Sequence, residues 1–342
     1  HLVDDGDHGR VVQLDALDVV LAVGILAAAG WWLYRSAIRN NGGCAGCSGC
    51  AAEKTAKKRK TGRSGFPENK NDCSTKLYYI RKGGEMKRVV LSVLGFFFMT
   101  TAAFAGHPLV TDDTGTQGKG KGQVEAGFSF SFDKDKADEE TTFKTEGGDA
   151  AVALTVGLME ALDIVLGVPY AWYTLKENDI RTGREDGISD IAFDLKWRFF
   201  EKDGWSLALK PGVSLPSGDD EKGLGAGRAG YRMFLVATKE FEPFAIHANL
   251  GYVRNENKAE EREDLWHASV AAEVDVIRNL KLLANIGMER NPASDSSNPP
   301  AFVLGGLSYS VSETITVDAG IKYGLTSPET DWTALAGLAI KF

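Results

Sequence analysis

From Val124 to Phe342, apolar and polar residues alternate in short runs bounded by turn-forming residues. Ile315, Val317, Ala319, Ile321, Tyr323 and Leu325 share one face, and Thr316, Asp318, Gly320, Lys322 and Gly324 the other. Leu280, Leu282, Ala284, Ile286 and Met288 oppose Lys281, Asn285, Gly287 and Glu289. Ile191, Phe193, Leu195, Trp197 and Phe199 oppose Asp190, Asp194, Lys196 and Arg198. A period of two marks β-strands with unlike faces. The pattern predicts twelve strands, at 124–132, 149–159, 162–174, 188–200, 205–216, 229–239, 244–254, 265–276, 280–290, 301–310, 314–325 and 332–342. Most are close to the 9–11 residues, roughly, that a tilted strand needs to cross a bilayer.

Connection lengths separate a membrane barrel from a soluble sandwich, which also alternates but turns its apolar face inward. Tight links near 160–161, 201–204, 240–243, 277–279 and 311–313 alternate with polar loops at 133–148, 175–187, 217–228, 255–264, 291–300 and 326–331. Short turns at one end and long loops at the other predict an all-β, twelve-stranded antiparallel transmembrane β-barrel over 124–342, in the outer membrane. The lipid bilayer is its first partner. Trp172, Trp197, Trp205, Tyr252, Trp266, Tyr323 and Trp332 fall near strand ends, where girdle residues belong.

A barrel with apolar residues outward carries its charges inward. The lumen is expected to be lined by Asp190, Asp194, Lys196, Arg198, Lys210, His247, His267, Glu273, Asp275, Lys281, Glu289, Asp318 and Lys322. The opposite register would expose each Lys or Arg to lipid at a cost of roughly 2–4 kcal/mol. With acids and bases both inward, charges pair across the lumen and narrow it, so a small or gated pore is expected.

The pattern changes before this region. Met86-Lys87-Arg88 is a basic head, Val89 to Met99 an apolar run too short to span a bilayer, and Ala103-Phe104-Ala105 a small-x-small end. This predicts a signal peptide over 86–105, cut between Ala105 and Gly106, with 106–123 a periplasmic N-terminal segment. Further upstream, Val19 to Tyr34 is free of charge, bears Trp31, Trp32 and Tyr34 at its end, and is followed by Arg35, Arg39 and a Lys-rich tail. Over 1–60 the expectation is one inner-membrane helix with a cytoplasmic Cys-rich tail, and over 61–85 a disordered linker. Arg81-Lys82-Gly83-Gly84-Glu85 can be written in purine codons, like a ribosome-binding site. Met86 then reads as a start, with 1–85 from a neighbouring frame or a gene fusion.

Charge follows the same division: net +6 through Ala105 and −14 from Gly106 onward. All four cysteines lie in the first part, and the exported part has none, which suits an oxidising compartment without a disulfide framework. Cys44, Cys47 and Cys50 are spaced by three among Gly, Ala and Ser, so their thiolates can converge on one soft metal such as iron or zinc. No fourth ligand follows at the ferredoxin spacing. A flexible reduced tail is the other reading. No cofactor is expected for the barrel, and no nucleic acid as partner.

Enzyme chemistry finds one foothold. His267 and Ser269 share a strand face, as nucleophilic attack in a barrel phospholipase needs, but no orienting Asn is evident in the sequence. Both face the lumen, so the chain is read as no enzyme, and His247 and His267 as polar lumen residues. The acids of the loops, among them Glu256, Glu260, Glu261, Glu263 and Asp264, are read as solvated.

Two resemblances add to this reading. The membrane helix followed by Gly-Gly-Cys44-x-Gly-Cys47-x-Gly-Cys50 and a basic tail, over about 11–60, resembles the FeoB-associated cysteine-rich membrane proteins. It implies an iron context, with a ferrous iron transporter as partner. His107-Pro108-Leu109-Val110-Thr111-Asp112-Asp113-Thr114-Gly115-Thr116-Gln117-Gly118, Gly187-Ile188-Ser189-Asp190, and Lys210-Pro211-Gly212-Val213-Ser214-Leu215-Pro216-Ser217-Gly218-Asp219 resemble the outer-membrane transporter family labelled MetA-pathway of phenol degradation. That likeness covers nearly all of 106–342 and implies a barrel that passes small molecules. Its phenol label rests on genomic context, so no substrate is carried over. The final strand, ending in Phe342, resembles the signal read by the outer-membrane assembly machinery. The leading expectation is a channel or transporter for small solutes, hydrophobic or aromatic ones included. The alternatives are a structural or adhesive barrel with a plugged lumen, and an iron-linked membrane protein acting through the Cys cluster.

Overall fold

A computed structural model describes residues 107–136 and 140–342. The expectations for the upstream region lie outside the described residues: the membrane helix, Cys44, Cys47 and Cys50, the linker, the signal peptide, and the cut between Ala105 and Gly106.

The described chain is built from strands: β1 (Gly122–Lys136), β2 (Thr142–Met159), β3 (Leu162–Glu177), β4 (Ile180–Ile188), β5 (Ile191–Lys202), β6 (Trp205–Leu215), β7 (Gly230–Phe241), β8 (Phe244–Arg254), β9 (Asp264–Ile277), β10 (Leu280–Glu289), β11 (Ala301–Ser310), β12 (Ile315–Gly324) and β13 (Trp332–Lys341). Every pairing is antiparallel, and β1 pairs with both β2 and β13, so the sheet closes on itself. The seam runs from Gln123 opposite Lys341 to Phe132 opposite Trp332. Next to Gln123 and Lys341, Gly122 and Phe342 exchange two backbone bonds of 2.8 and 2.9 Å.

β4 and β5 share one stave. β5 pairs with Leu162–Gly167 of β3, and β4 with Tyr170–Glu177. Counted by staves, the barrel is twelve-stranded, as the alternation predicts.

The difference from the sequence expectation lies in the first hairpins. The predicted loops 133–148 and 175–187 are largely strand, because β1, β2, β3 and β4 run on past the membrane. β2 has 18 residues, far more than a bilayer crossing needs. Beyond the lipid both faces of a strand meet water, so hydrophobic alternation vanishes while backbone pairing continues. Cross-strand ion pairs replace it, such as Lys176 to Glu146 at 2.6 Å and Lys144 to Asp179. Asn178 and Asp179, with φ of 50° and 66°, make the two-residue turn that joins β3 to β4.

The two faces differ as a membrane requires. On β5, Phe193, Leu195 and Trp197 point outward with 41–50% of their surface exposed, whereas Ala192, Asp194 and Lys196 are buried. Outward apolar side chains find their solvent in lipid. Among the described residues the buried hydrophobic side chains form small clusters and no large core. One joins Leu109 to Ala271, Leu283, Phe302 and Leu304. Leu109 belongs to no strand: residues 107–121, expected as a periplasmic segment, run inside the barrel.

Candidate functional site: a strapped lumen

Residues 107–121 form an extended strap around the inner wall. Such a segment buries backbone donors that no sheet satisfies, so the wall's side chains must do so. Asn285 Oδ1 on β10 accepts from the amides of Val110 (2.8 Å) and Thr111 (3.1 Å). Asn249 on β8 pairs with both backbone groups of Asp112, at 2.7 and 2.9 Å, with its amide oriented to satisfy both. Thr238 Oγ1 on β7 accepts from Thr114 N–H at 3.2 Å, and Asp163 Oδ2 on β3 from Gln117 N–H at 2.9 Å. The strap thus passes β10, β8, β7 and β3 in turn and leads into β1. At its start, His107 Nδ1 meets Asp318 on β12. At its end, Gly157 lets the chain pass, since a Cβ there would lie 1.9 Å from the Gly118 carbonyl oxygen.

Asp112 is the electrostatic centre of the strap. One carboxylate oxygen accepts from Lys196 Nζ at 2.9 Å and the other from Lys210 Nζ at 2.7 Å. All three side chains are at most about a tenth exposed. Buried charges persist when paired and hydrogen-bonded, as here. Beside them Arg232 on β7 holds Asp194 in a two-pronged pair of 2.7 and 2.9 Å. Gly212 makes room, because a Cβ would fall 1.8 Å from Asp194 Oδ1.

Two cavities flank this centre. An outer one of about 190 Å³ is lined by Leu109, Phe234, Phe302, Arg232, His267 and Lys322, among others. A periplasmic one of about 550 Å³ includes Gln117, Asp163, Lys196 and Phe342. Asp112, Glu125 and Lys210 line both. The strap therefore sits where the two chambers meet.

The other sequence-selected residues fall into place around this frame. Asp190, buried between β4 and β5, accepts from the amides of Gly218 and Ala226, both at 2.9 Å, and anchors the loop 216–229. Lys322 bonds Glu329 at 2.9 Å and lies over the Phe302 ring. Glu273 bonds Lys281 at 2.8 Å and lies 3.7 Å from His247, which also meets Thr238 at 2.9 Å. His267 lies 2.9 Å from Ser269 Oγ and 3.4 Å from Glu289. Arg198 and Asp275 stand apart: Arg198 pairs with Glu201 at 3.2 Å, and Asp275 is exposed. Among the described residues, no group of three His, Cys, Asp or Glu is placed to hold a metal ion.

The loop acids are not uniformly solvated. Arg254 gathers Glu256, Glu263 and Asp264. Glu261 is buried, and that burial pushes its carboxyl up to about 7 against the opposing Asn255 hydrogen bond.

Sequence reading missed Asp112, Asn249, Asn285, Thr238, Arg232 and Ser206, whose hydroxyl meets that of Thr114, as parts of one assembly. The strap has no periodicity to reveal it, and the uncharged partners look like ordinary inward polar residues. Arg232 alone carried a signal, as a charge on an inward strand position.

Comparison with known proteins bears on this architecture. The model of the family described as MetA-pathway of phenol degradation matches residues 105–342. An outer membrane channel from Pseudomonas putida F1 is similar in fold, with 13% identity and a TM-score of 0.55 over 67% of this chain and 98% of that one. The translocator domain of the autotransporter NalP from Neisseria meningitidis aligns at 13% identity and a TM-score of 0.43, over 66% of this chain and 89% of that one. No curated protein sequence matches. The barrel has the fold of outer-membrane channels and belongs in the outer membrane.

Proposed function

The chain belongs to the MetA-pathway of phenol degradation family, and from that premise we propose that it is an outer-membrane channel for small, partly apolar solutes, narrowed by its own N-terminal strap. The observation that carries this reading is the meeting of two lumen cavities at Asp112, Glu125 and Lys210. Solute entering the outer chamber passes Leu109, Phe234 and Phe302 beside Arg232 and Lys322, a wall that suits an apolar body with a polar handle. The family's name makes small aromatic solutes the first class to test. The strap stands between this chamber and the periplasm, so its movement sets the width of the path.

A plugged structural barrel is the second reading. It draws on the same strap, whose bonds to β3, β7, β8 and β10 fill the lumen. Liposomes separate the two. The channel reading expects uptake of a small aromatic carboxylate above that of protein-free liposomes, and faster than of a sugar of similar size. Liposomes that admit neither favour the plug.

Maturation enters the same proposal. His107, the first described residue, lies inside the barrel against Gly127 and Gly337. Cleavage after Ala105, read from the Ala103-Phe104-Ala105 end, would leave it second in the mature chain, and Phe342 at the seam serves as the assembly signal. The N-terminal residue of the purified outer-membrane protein is expected to be Gly106. An iron-linked role through Cys44, Cys47 and Cys50 requires those residues to remain joined to the barrel, and their detection there would count against cleavage.

A further inference from the structure

His267 and Ser269 sit on the inner face of β9, and Glu289 lies opposite His267 in the β9–β10 register. Ser269 Oγ is 2.9 Å from His267 Nε2, and a Glu289 carboxylate oxygen is 3.4 Å from His267 Nδ1. With Nδ1–H directed at Glu289, Nε2 is left to accept the serine proton. A hydroxyl, a base and a group that orients the base are the arrangement that activates a serine.

The strap covers this array in a telling way. Thr111 Oγ1 donates to Ser269 Oγ at 2.7 Å and accepts from Asn285 Nδ2 at 2.7 Å. All four hydroxyl and imidazole contacts then run in one direction, from Asn285 through Thr111 and Ser269 to His267 and Glu289. The Thr111 oxygen therefore occupies a place beside the nucleophile that faces an N–H donor, as an acyl carbonyl oxygen would. Two residues earlier, Leu109 fills an apolar pocket of Ala271, Leu283, Phe302 and Leu304. Strap residues 109–111 thus stand where a short apolar acyl group and its carbonyl would stand. His267 and Glu289 line the outer cavity, while Ser269 is buried.

We propose that Ser269, His267 and Glu289 form an acyl-hydrolase site for small esters with a short apolar acyl group, masked by the strap and opened when residues 109–111 withdraw. Ser269 Oγ attacks the ester carbonyl carbon while its proton passes to His267 Nε2. The negative charge on the carbonyl oxygen faces Asn285 Nδ2. Collapse breaks the ester C–O bond, and His267 returns the proton to the departing alcohol. Water then attacks the acyl-serine with His267 again as base, releasing the carboxylic acid and free Ser269. Ser269 and His267 are the catalytic residues, and Glu289 is a positioning residue. The site is independent of conductance, since a barrel that passes no ions can still hydrolyse an ester.

The test treats the purified, folded barrel with an alkyl fluorophosphonate and locates the label by peptide mass spectrometry, with p-nitrophenyl butyrate hydrolysis measured in parallel. Wild type, Leu109→Ala and Thr111→Ala are compared. Label on Ser269, faster in the two strap variants than in wild type, is expected. Ser269→Ala should take no label, and His267→Gln should slow hydrolysis about 100-fold or more. Glu289→Gln should lower kcat less than His267→Gln does and leave KM nearly unchanged, because Glu289 orients the imidazole and does not touch the ester. Should Leu109→Ala not fold, Thr111→Ala removes only a hydroxyl and a methyl group and carries the comparison. Absence of label on Ser269 in wild type and in every folded strap variant would overturn the proposal, as would full hydrolysis by Ser269→Ala.

Discussion

Asp112 lies where the two lumen cavities meet. It holds Lys196 and Lys210 at once, all three nearly out of contact with water. Removing one partner from a buried ionic cluster costs about 3–5 kcal/mol. Asp112→Ala should therefore lower the unfolding temperature of the purified barrel and loosen the strap. Two ammonium groups would lose their shared carboxylate, so the reversal potential in a salt gradient should move toward anion selectivity. An unchanged unfolding temperature and selectivity would mean that the ion cluster does not set the constriction. At this scale the sequence was informative about side and silent about partner. Alternation put Asp194, Lys196, Lys210 and Lys322 on the charged face. Only the fold shows that Asp194 belongs to Arg232, and that Lys196 and Lys210 belong to a residue of a segment with no periodicity.

At the scale of elements, alternation was legible wherever a strand has lipid on one side. β12 follows it residue by residue, β5 follows it as far as the bulge after Arg198, and β10 as far as Gly287, beyond which Met288, expected outward, is buried against Ala301; the tight turns at 160–161 and 278–279 lie where short links were expected. It failed in β1 to β4 beyond the membrane, where water wets both faces and charged pairs hold the strands together. Leu195→Arg with Trp197→Arg should impair membrane insertion, at roughly 2–4 kcal/mol for each charge near mid-depth. Normal assembly of that variant, judged by resistance of the folded band to detergent unfolding, would invert the register. The loop 255–263 carries a second prediction. Asn255 donates to the Glu261 carboxylate at 3.2 Å, and Asn257 Oδ1 accepts from Glu261 N–H at 3.0 Å. Burial raises the Glu261 carboxyl to about 7, above its ordinary 4.5. A raised folded-state value favours the neutral acid. The loop is therefore fully stabilised below pH about 4.5 and loses that contribution as pH rises through about 7. Protease cleavage within 255–263 should be faster at pH 8 than at pH 5.5, and Glu261→Gln should flatten the difference.

On the scale of the whole molecule, pairing of β1 with β13 closes the sheet, and among the described strands only β4 is paired on one side alone; closure encloses the lumen. A barrel of twelve staves is wide enough to hold more than its own side chains. Here it holds residues 107–121, and in the proposed channel what passes depends on that strap. Barrel class, membrane and charge-lined interior were all legible in the strand pattern. The strap's path was not, because it is fixed by Asn249, Asn285, Thr238 and Asp163 reaching in from distant strands. Single-channel recording in planar bilayers, with the barrel intact and with residues 107–117 deleted, tests the central claim most directly. The account predicts small discrete conductance steps for the intact protein and clearly larger ones after deletion. Silence in both forms, or equal conductance with and without the strap, would contradict it.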